Sequence, residues 1–596
     1  MRAIDHLPTS IALRVGWLAL AALLVSFHIG LIFSGLVPNL VSRPLHMALV
    51  LPWVFLFGAS GARLITGAVL TVVGMGAAIW VAWNADTLGD QYGFLESRAQ
   101  VWLGFALLAV VIEAARRTIG WPLPLVACLA LLYAFFGQHI PGEFGHAGLP
   151  LRSFLGSMTI AEAGIWGSLT AVSVGVVSIF VIFGAVLNAG EAGQGFMNVA
   201  AAAAGRLRGG AAKVSVLSSA LFGSISGSAS ANVASTGAIT LPAMTGLGYP
   251  KRLSAGVEAV ASSGGQIMPP LMGAGAFVMV ELTGVPYTQI MAAAILPAVL
   301  YFWAVWVGIN AYATRYELRG LDAADQPARR DVIVTSLFFL VPFSVLMLGM
   351  FAAGFTPQYA ACLAILAGAL LLLVDGNLRF DPKRAAGRMA DALLSASRQV
   401  AMIAAIILCA SIIIGVLGAT GLGVKITSVI LAGSGGSLWA SLLLTALACL
   451  ILGMEVPTTA AYVICVSVAG PALMKLGLEP LQAHLFVFWF ALLSTITPPV
   501  CGAVFIAAGM IGENWLKVAQ TAMALGVGLY LIPLAMIAWP DLIALSTAPF
   551  AALLAFIVTG AALAALSYAL IARAAPWRRL ALALLGGALI FGPVVL

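Results

Sequence analysis

The chain has 596 residues, 62% of them hydrophobic and only 8% charged, with a mean hydropathy of +1.09. That balance excludes a soluble globular domain. The net charge of +7 is dispersed over short basic loops rather than gathered in a stripe, so the expected partner surface is the lipid bilayer and no nucleic acid is expected.

A bilayer span takes about 20 apolar residues. Charge-free runs of that length recur at 163–190, 282–314, 332–374, 399–424, 426–454, 518–540 and 542–572. The expectation is an all-α polytopic membrane protein with roughly 16 embedded segments, some of them hairpins that do not cross fully. Residues 1–150 read as an N-terminal membrane bundle, with span cores at Val15–Val37, Met47–Gly58, Ile65–Trp83, Val101–Ile112 and Pro122–Phe136. Arg2, Asp5 and Arg14 precede the first core, which has no small-residue cleavage site. It therefore reads as a retained span, not a signal peptide. The polar loop Gly137–Pro150 closes the block.

Basic clusters at Arg315–Arg330 and Arg379–Arg398 are separated by a run long enough for two spans, which puts both on one face. The positive-inside rule makes that face cytoplasmic, and the loop with Asp86, Asp90 and Glu96 the opposite one. The six cysteines and six histidines show no metal-ligand spacing and read as ordinary packing residues.

From Leu151 onward the chain repeats itself at an offset of 229 residues. Ile267-Met268-Pro269-Pro270-Leu271-Met272-Gly273-Ala274 falls on Ile496-Thr497-Pro498-Pro499-Val500-Cys501-Gly502-Ala503, Pro242-Ala243 on Pro471-Ala472, and Leu247-Gly248 on Leu476-Gly477. A gapless offset that preserves three prolines and two glycines marks internal duplication. The first repeat reads as 151–375, with a hairpin around 211–248 and a broken helix around 253–283. The second reads as 376–540, with a hairpin around 438–476 and a broken helix around 481–512. Residues 541–596 add two C-terminal spans. Leu151–Ala163 and Phe380–Ala392 occupy equivalent positions, and the second, with Lys383, Arg384 and Arg388, reads as a short basic amphipathic helix suited to the membrane interface. The offset does not distinguish inverted from parallel repeats.

No charge lies between Val214 and Pro250, yet both ends of Gly223–Pro270 are rich in Gly, Ser and Pro. Non-helical backbone at membrane depth is tolerated only where protein or a watery cavity covers it. Each repeat carries two such breaks, at Ser224–Ser230 with Ser262–Pro270 and at Met454–Thr459 with Ser494–Pro499. Repeat-built transporters place their sites at such matched breaks. Unwound carbonyls and Ser or Thr hydroxyls suit hard cations, and helix N-termini suit carboxylates. The Pro pairs deprive the carbonyls of Gly265, Gln266, Ser494 and Thr495 of helical donors, which makes them candidate cation ligands. Gly223–Ser230 taken alone also fits close helix packing by small residues, and the matched breaks favour a site between the copies. Three embedded acids stand out. Glu455, at the second hairpin break, is the leading candidate for a role in the site. Glu258 reads as a partner for Lys251 or Arg252, and Glu281 as interfacial. No catalytic set and no nucleotide loop are present, so no enzymatic activity is expected and uphill transport must draw on an ion gradient or a separate ATPase.

Gly227-Ser228-Ala229-Ser230-Ala231-Asn232-Val233-Ala234-Ser235-Thr236-Gly237, Gly264-Gly265-Gln266-Ile267-Met268-Pro269-Pro270, Glu455-Val456-Pro457-Thr458-Thr459-Ala460 and Thr495-Ile496-Thr497-Pro498-Pro499-Val500 together resemble the motifs of the TRAP transporters, specifically the fused membrane component of the TAXI type. The resemblance covers nearly the whole chain. It implies a bacterial or archaeal inner-membrane secondary transporter of the ion-transporter type, with two inverted repeats moving as an elevator against a scaffold. It implies a separate periplasmic solute-binding protein that delivers a small organic acid, and coupling to a cation gradient, Na⁺ in expectation with H⁺ the alternative. The implied cation-binding set is Ser226, Ser228, Gly264, Gly265, Pro269, Thr458, Thr459, Thr495, Thr497 and Pro498. The substrate-binding set is Ser230, Asn232, Ser235, Gln266, Glu455 and Thr459. No covalent cofactor is implied. The runner-up is a stand-alone ion-coupled elevator carrier that needs no binding protein.

Overall fold

The computed structural model describes residues 10–270, 272–322, 326–453, 457–499 and 501–595. Among these the protein is helical, and the one strand-like pairing is an isolated bridge between Val374 and Phe380. Among the described residues ten helices are long and apolar enough to cross a bilayer, and six more are shorter apolar helices of 10–17 residues. In the tail, Pro549–Ile571 passes as a span, and Pro576–Val595 packs on it.

Two compact units emerge, and each draws on both halves of the chain. The first comprises 1–192 and 338–432, the second 193–337 and 433–596. Sequence blocks are therefore not the packing units, because helices of one repeat find partners in the other.

In the first unit the N-terminal helices Ile11–Phe33, Asn39–Phe55, Ala62–Trp83, Arg98–Ile119 and Pro122–Phe136 follow the apolar runs. A capping box starts the fourth, with Ser97 Oγ accepting from the Gln100 N–H at 3.2 Å and the Gln100 side chain accepting from the Ser97 N–H at 3.3 Å. Such a cap satisfies two of the donors that a helix start leaves open. Residues Leu151–Thr159 form a short separate helix with Phe154, Leu155 and Met158 buried. Its counterpart corrects an expectation. Residues 380–392 do not form an independent interfacial helix: from Pro382 on they are the opening turns of a continuous 39-residue helix, Pro382–Thr420. Pro382 sits in the first turn, where its missing N–H costs nothing. Beyond it the Ala-, Leu- and Ser-rich sequence carries no second proline to stop the helix. Asp381 caps this start, accepting from the Lys383 and Arg384 N–H groups at 3.0 and 3.3 Å.

The second unit holds the duplicated core. The first copy runs as hairpin arms Gly210–Ser226 and Ala229–Gly246, then a broken helix with leading half Lys251–Gly264 and trailing half Gly273–Thr283. The second copy has arms Leu438–Leu452 and Thr458–Lys475, then halves Pro480–Leu493 and Gly502–Ile511. The second arms and the leading halves begin and end at positions 229 apart, and the trailing halves start so. The boundaries repeat because the residues that make them repeat. Gly227-Ser228 precede the second arm of the first copy and Pro457 that of the second, and a Pro-Pro pair follows each leading half. Both Pro-Pro bonds are cis.

Candidate functional site

In each copy the end of the first arm meets the broken helix of the same copy, in the second through Gly453 O, which accepts from Ser494 Oγ at 2.9 Å. In the first copy Gly227 takes φ +59, ends the first arm and donates its N–H to Gly223 O at 3.1 Å. Only glycine adopts that conformation without strain. Ser228 then caps the second arm, its hydroxyl accepting from the Ala231 N–H at 3.4 Å. The broken helix passes through a 3₁₀ turn at Gly265–Ile267 and resumes at Gly273, which has φ +64. Two glycine contacts close the tip on the break. A Cβ on Gly223 would lie 2.3 Å from Gly265 Cα, and one on Gly227 would lie 2.8 Å from Gly273 Cα. The small residues thus serve close packing here, as well as opening the backbone.

The breaks dispose of their carbonyls by local turns. Gly265 O accepts from the Met268 N–H at 3.3 Å, Ser494 O from the Thr497 N–H at 3.4 Å, and Thr495 O from the Ala503 N–H at 3.2 Å. Each carbonyl retains a second lone pair. Ser226 Oγ is buried with no hydrogen-bond partner. A buried hydroxyl without a partner requires an explanation, and it sits at the hairpin tip where a cation ligand was expected.

The structure brings parts of the two copies together within this unit. Ser263 Oγ and Thr495 Oγ1 are 3.0 Å apart. Ser230 is exposed on the second arm of the first copy, and its hydroxyl lies 3.8 Å from where a Cβ on Gly502 would stand. The trailing half of each copy packs on the other copy: Gly273–Thr283 on Thr458–Lys475 and Pro480–Leu493, and Gly502–Ile511 on Ala229–Gly246 and Lys251–Gly264. Thr458 and Thr459 are the first, half-buried residues of their arm. Thr497 Oγ1 is bonded to Leu493 O at 2.6 Å and to the Tyr530 hydroxyl at 2.7 Å. Pro269 and Pro498 lie in the non-helical connections.

Other predicted residues are held by the scaffold. Gly264 packs on the Tyr301 ring, where a Cβ would come within 2.3 Å. Asn232 is fully buried and donates to Ser219 O at 2.9 Å and Ser262 O at 3.2 Å, which ties the second arm to both the first arm and the leading half. Gln266 is buried in the 3₁₀ turn, and Ser235 is exposed on its arm. Glu455 lies outside the described residues. Glu281 is exposed.

Glu258 departs from its expected role. It is fully buried, and its carboxylate is met by hydroxyls rather than by Lys251 or Arg252. Ser215 donates to it at 2.7 Å and Ser262 at 3.1 Å, and Thr236 and Thr240 donate as well. Arg252 instead bonds the Tyr316 hydroxyl at 3.0 Å. Lys251 and Arg252 are exposed at the first turn of the helix, about two turns from the buried Glu258. The signal was present in the sequence: Ser215 and Ser219, Thr236 and Thr240, and Glu258 and Ser262 are three pairs spaced four apart on three successive helices. Such pairs line up on one face of a helix. The second copy has a different buried pair, Tyr462 and His484 at 2.7 Å.

The chain matches the family described as "Tripartite ATP-independent periplasmic transporter, DctM component" over residues 106–551. The chain belongs to this family. The large permease DctM of a C4-dicarboxylate TRAP transporter from Pseudomonas aeruginosa is 27% identical over 345 residues, which are 56% of this chain and 77% of the relative. The isethionate TRAP transporter permease protein DctMQ of Oleidesulfovibrio alaskensis is 26% identical over 446 residues, 70% of this chain and 68% of that one. Among solved structures, the YdaH transporter of Alcanivorax borkumensis matches with 16% identity and a TM-score of 0.45, over 69% of this chain and 95% of its own. The protein is thus a TRAP-type large permease, a multi-pass protein of the bacterial inner membrane. Transport is the activity of this family, and the matched region contains both copies of the hairpin and broken helix.

Proposed function

We propose that this large permease is the membrane part of a cation-coupled uptake system for a small organic acid, which a separate periplasmic solute-binding protein delivers. Residues 1–150 act as a fused small-subunit-like scaffold of the TAXI type. The two copies are inverted repeats, and the second unit carries the solute as an elevator. Na⁺ is the coupling ion, held at the hairpin tips and breaks by the hydroxyls and carbonyls of Ser226, Ser228, Gly264, Gly265, Thr458, Thr459, Thr495 and Thr497. The acid lies against the helix starts that follow the tips, near Ser230 and Thr459.

The observation that carries this reading is the unpartnered Ser226 hydroxyl at a tip packed on its own break, in a unit where the two breaks touch through Ser263 and Thr495. Oxygen ligands of that kind suit a hard cation. The names of two relatives, which specify C4-dicarboxylate and isethionate, support a small organic anion, and the name of the second, a permease DctMQ, supports a fused small subunit.

The test is uptake of radiolabelled succinate, as first probe, by the full chain in proteoliposomes. Uptake should require both an imposed Na⁺ gradient and the solute-binding protein encoded beside the permease gene. Equal uptake without any binding protein would instead identify a stand-alone carrier. Uptake indifferent to Na⁺ would overturn the choice of coupling ion.

A further inference from the structure

We propose that Glu258, ringed by Ser215, Thr236, Thr240 and Ser262, is a proton-binding site inside the second unit. This goes beyond the cation ligands named above, since none of these five residues is among them. The site itself needs no transport to be observed. Its place as a second coupling site rests on the transporter reading.

Four features carry the inference. Glu258 is fully buried in the leading half of the first broken helix, and no cationic side chain is bonded to it among the described residues. A buried ionised carboxylate without such a partner is costly and is held only by strong hydrogen bonds. The charged groups of every helix packed around it are engaged or remote. Lys213, on the first arm, lies over the Trp306 ring at 4.8 Å. Lys251 and Arg252 are exposed at the start of its own helix, and Lys517 is exposed on Trp515–Leu525. The second arm and the trailing half Gly502–Ile511 carry no charged residue. On Tyr287–Tyr316, Tyr301 donates to Val260 O at 2.7 Å, Tyr312 stacks on Tyr316, and Arg315 lies over the Tyr316 ring at 5.6 Å.

The oxygens touch each other directly, with Ser215 at 2.7 Å and Ser262 at 3.1 Å from the carboxylate. A hard cation such as Ca²⁺ holds its ligand oxygens about 2.3–2.6 Å from itself, so they stand around a gap. No such gap exists here, and a proton requires none.

The ring is satisfied in either protonation state. When Glu258 is ionised, four hydroxyls donate to it, one for each lone pair. When a proton joins one carboxylate oxygen, the new O–H donates to the Thr236 or Thr240 oxygen. That threonine then turns its own hydrogen to a backbone carbonyl already in place. Asn232 O lies 2.8 Å from Thr236 Oγ1, and Thr236 O lies 3.1 Å from Thr240 Oγ1. One proton is taken up, the carboxylate becomes a carboxylic acid, and apart from the turned threonine hydroxyl no other bond changes.

The network also reaches the interface between the copies. Ser219 Oγ is 3.3 Å from Thr236 and 3.4 Å from Ser262, and Ser263, the next residue, meets Thr495. The carboxylate that takes the proton is therefore bonded to Ser262, the residue next to that contact.

The test is pH-difference infrared spectroscopy of the purified full chain in liposomes, without solute. A protonated-carboxyl C=O band should appear on acidification and vanish in Glu258→Gln. If the wild type shows no titrating carboxyl band, or if the band survives unchanged in Glu258→Gln, the site is overturned. Should Glu258→Gln fail to fold, Thr240→Val keeps the carboxyl and changes its bonding, so the band should persist but move in frequency; an unmoved band overturns the assignment. For coupling, Glu258→Gln should lose the response of succinate uptake to a pH gradient and keep its response to Na⁺. Retention of the pH response, with the infrared band gone, would leave a proton site that does not couple. Loss of both responses in the wild type would instead overturn the transporter reading.

Discussion

The two copies of the hairpin and broken helix share backbone and differ in chemistry. In the first copy Ser215, Asn232, Thr236, Thr240, Glu258 and Ser262 form one buried polar network. The positions 229 residues later are Leu444, Ala461, Cys465, Ala469, Val487 and Ala491. Every one is small or apolar, and the second copy builds its own Tyr462–His484 pair elsewhere on the same helices. Helix starts and breaks are what duplication kept, because they set where non-helical backbone falls. Interior polar groups were free to diverge, provided each buried one found a partner.

Outside the core the same contrast recurs on a smaller scale. His146 and Asp375 are 229 apart and each holds the N–H two residues on, Gly148 to His146 Nδ1 at 3.0 Å and Asn377 to Asp375 Oδ1 at 2.8 Å. Different side chains serve one turn.

The largest test of the asymmetry is at the close contact of tip and break. Gly265→Ala places a methyl 2.4 Å from Gly223 Cα and should lower stability by about 3 kcal/mol. Its mate already bears a side chain, so Ser494→Gly should cost only about 1 kcal/mol, chiefly the bond to Gly453 O. Thermal unfolding of the purified variants measures both, and equal losses would show that the copies pack alike. Next, Thr236→Val removes a donor from a buried carboxylate and should cost about 2 kcal/mol. Cys465→Val, at the matching site, should cost less than about 1.5 kcal/mol. A third test is functional. Thr458→Ala with Thr497→Ala should raise the Na⁺ concentration for half-maximal uptake by roughly tenfold, equal to about 1.4 kcal/mol. An unchanged cation dependence would remove the second copy from the cation site.

The smallest effect concerns Asp375. Its carboxyl is held below the usual range mainly by the Arg379 N–H, opposed by partial desolvation and reinforced by the Asn377 N–H and the Arg384 guanidinium. A depressed value means that the turn contributes stability above the ordinary carboxylate range and loses it as pH falls through the folded-state value. The Tm difference between wild type and Asp375→Asn should therefore be small at neutral pH and disappear on strong acidification. A difference that grows with acid would reverse the sign.

Much of this protein was legible in its residues. Apolar runs predicted the embedded helices, because the bilayer admits few alternatives. Paired prolines and Gly-Ser tips located the breaks, because proline removes a donor wherever it stands. The end of the interfacial helix was not legible at Phe380–Ala392, where the basic face is real but nothing stops the helix short of Thr420. The role of Glu258 was missed because three of its four partners lie 18 to 43 residues away, on neighbouring helices, whereas Lys251 and Arg252 are close in sequence.

By itself, then, the sequence determined that the chain lies in a membrane, that it is duplicated, and where its backbone must break. Those properties follow from hydropathy and from local rules of helix geometry. The tertiary structure decided which pieces pack into which unit, that each trailing half rests on the other copy, and that a lone acid is answered by hydroxyls. These depend on which helix faces meet, and a face acquires its chemistry only from the neighbour that covers it.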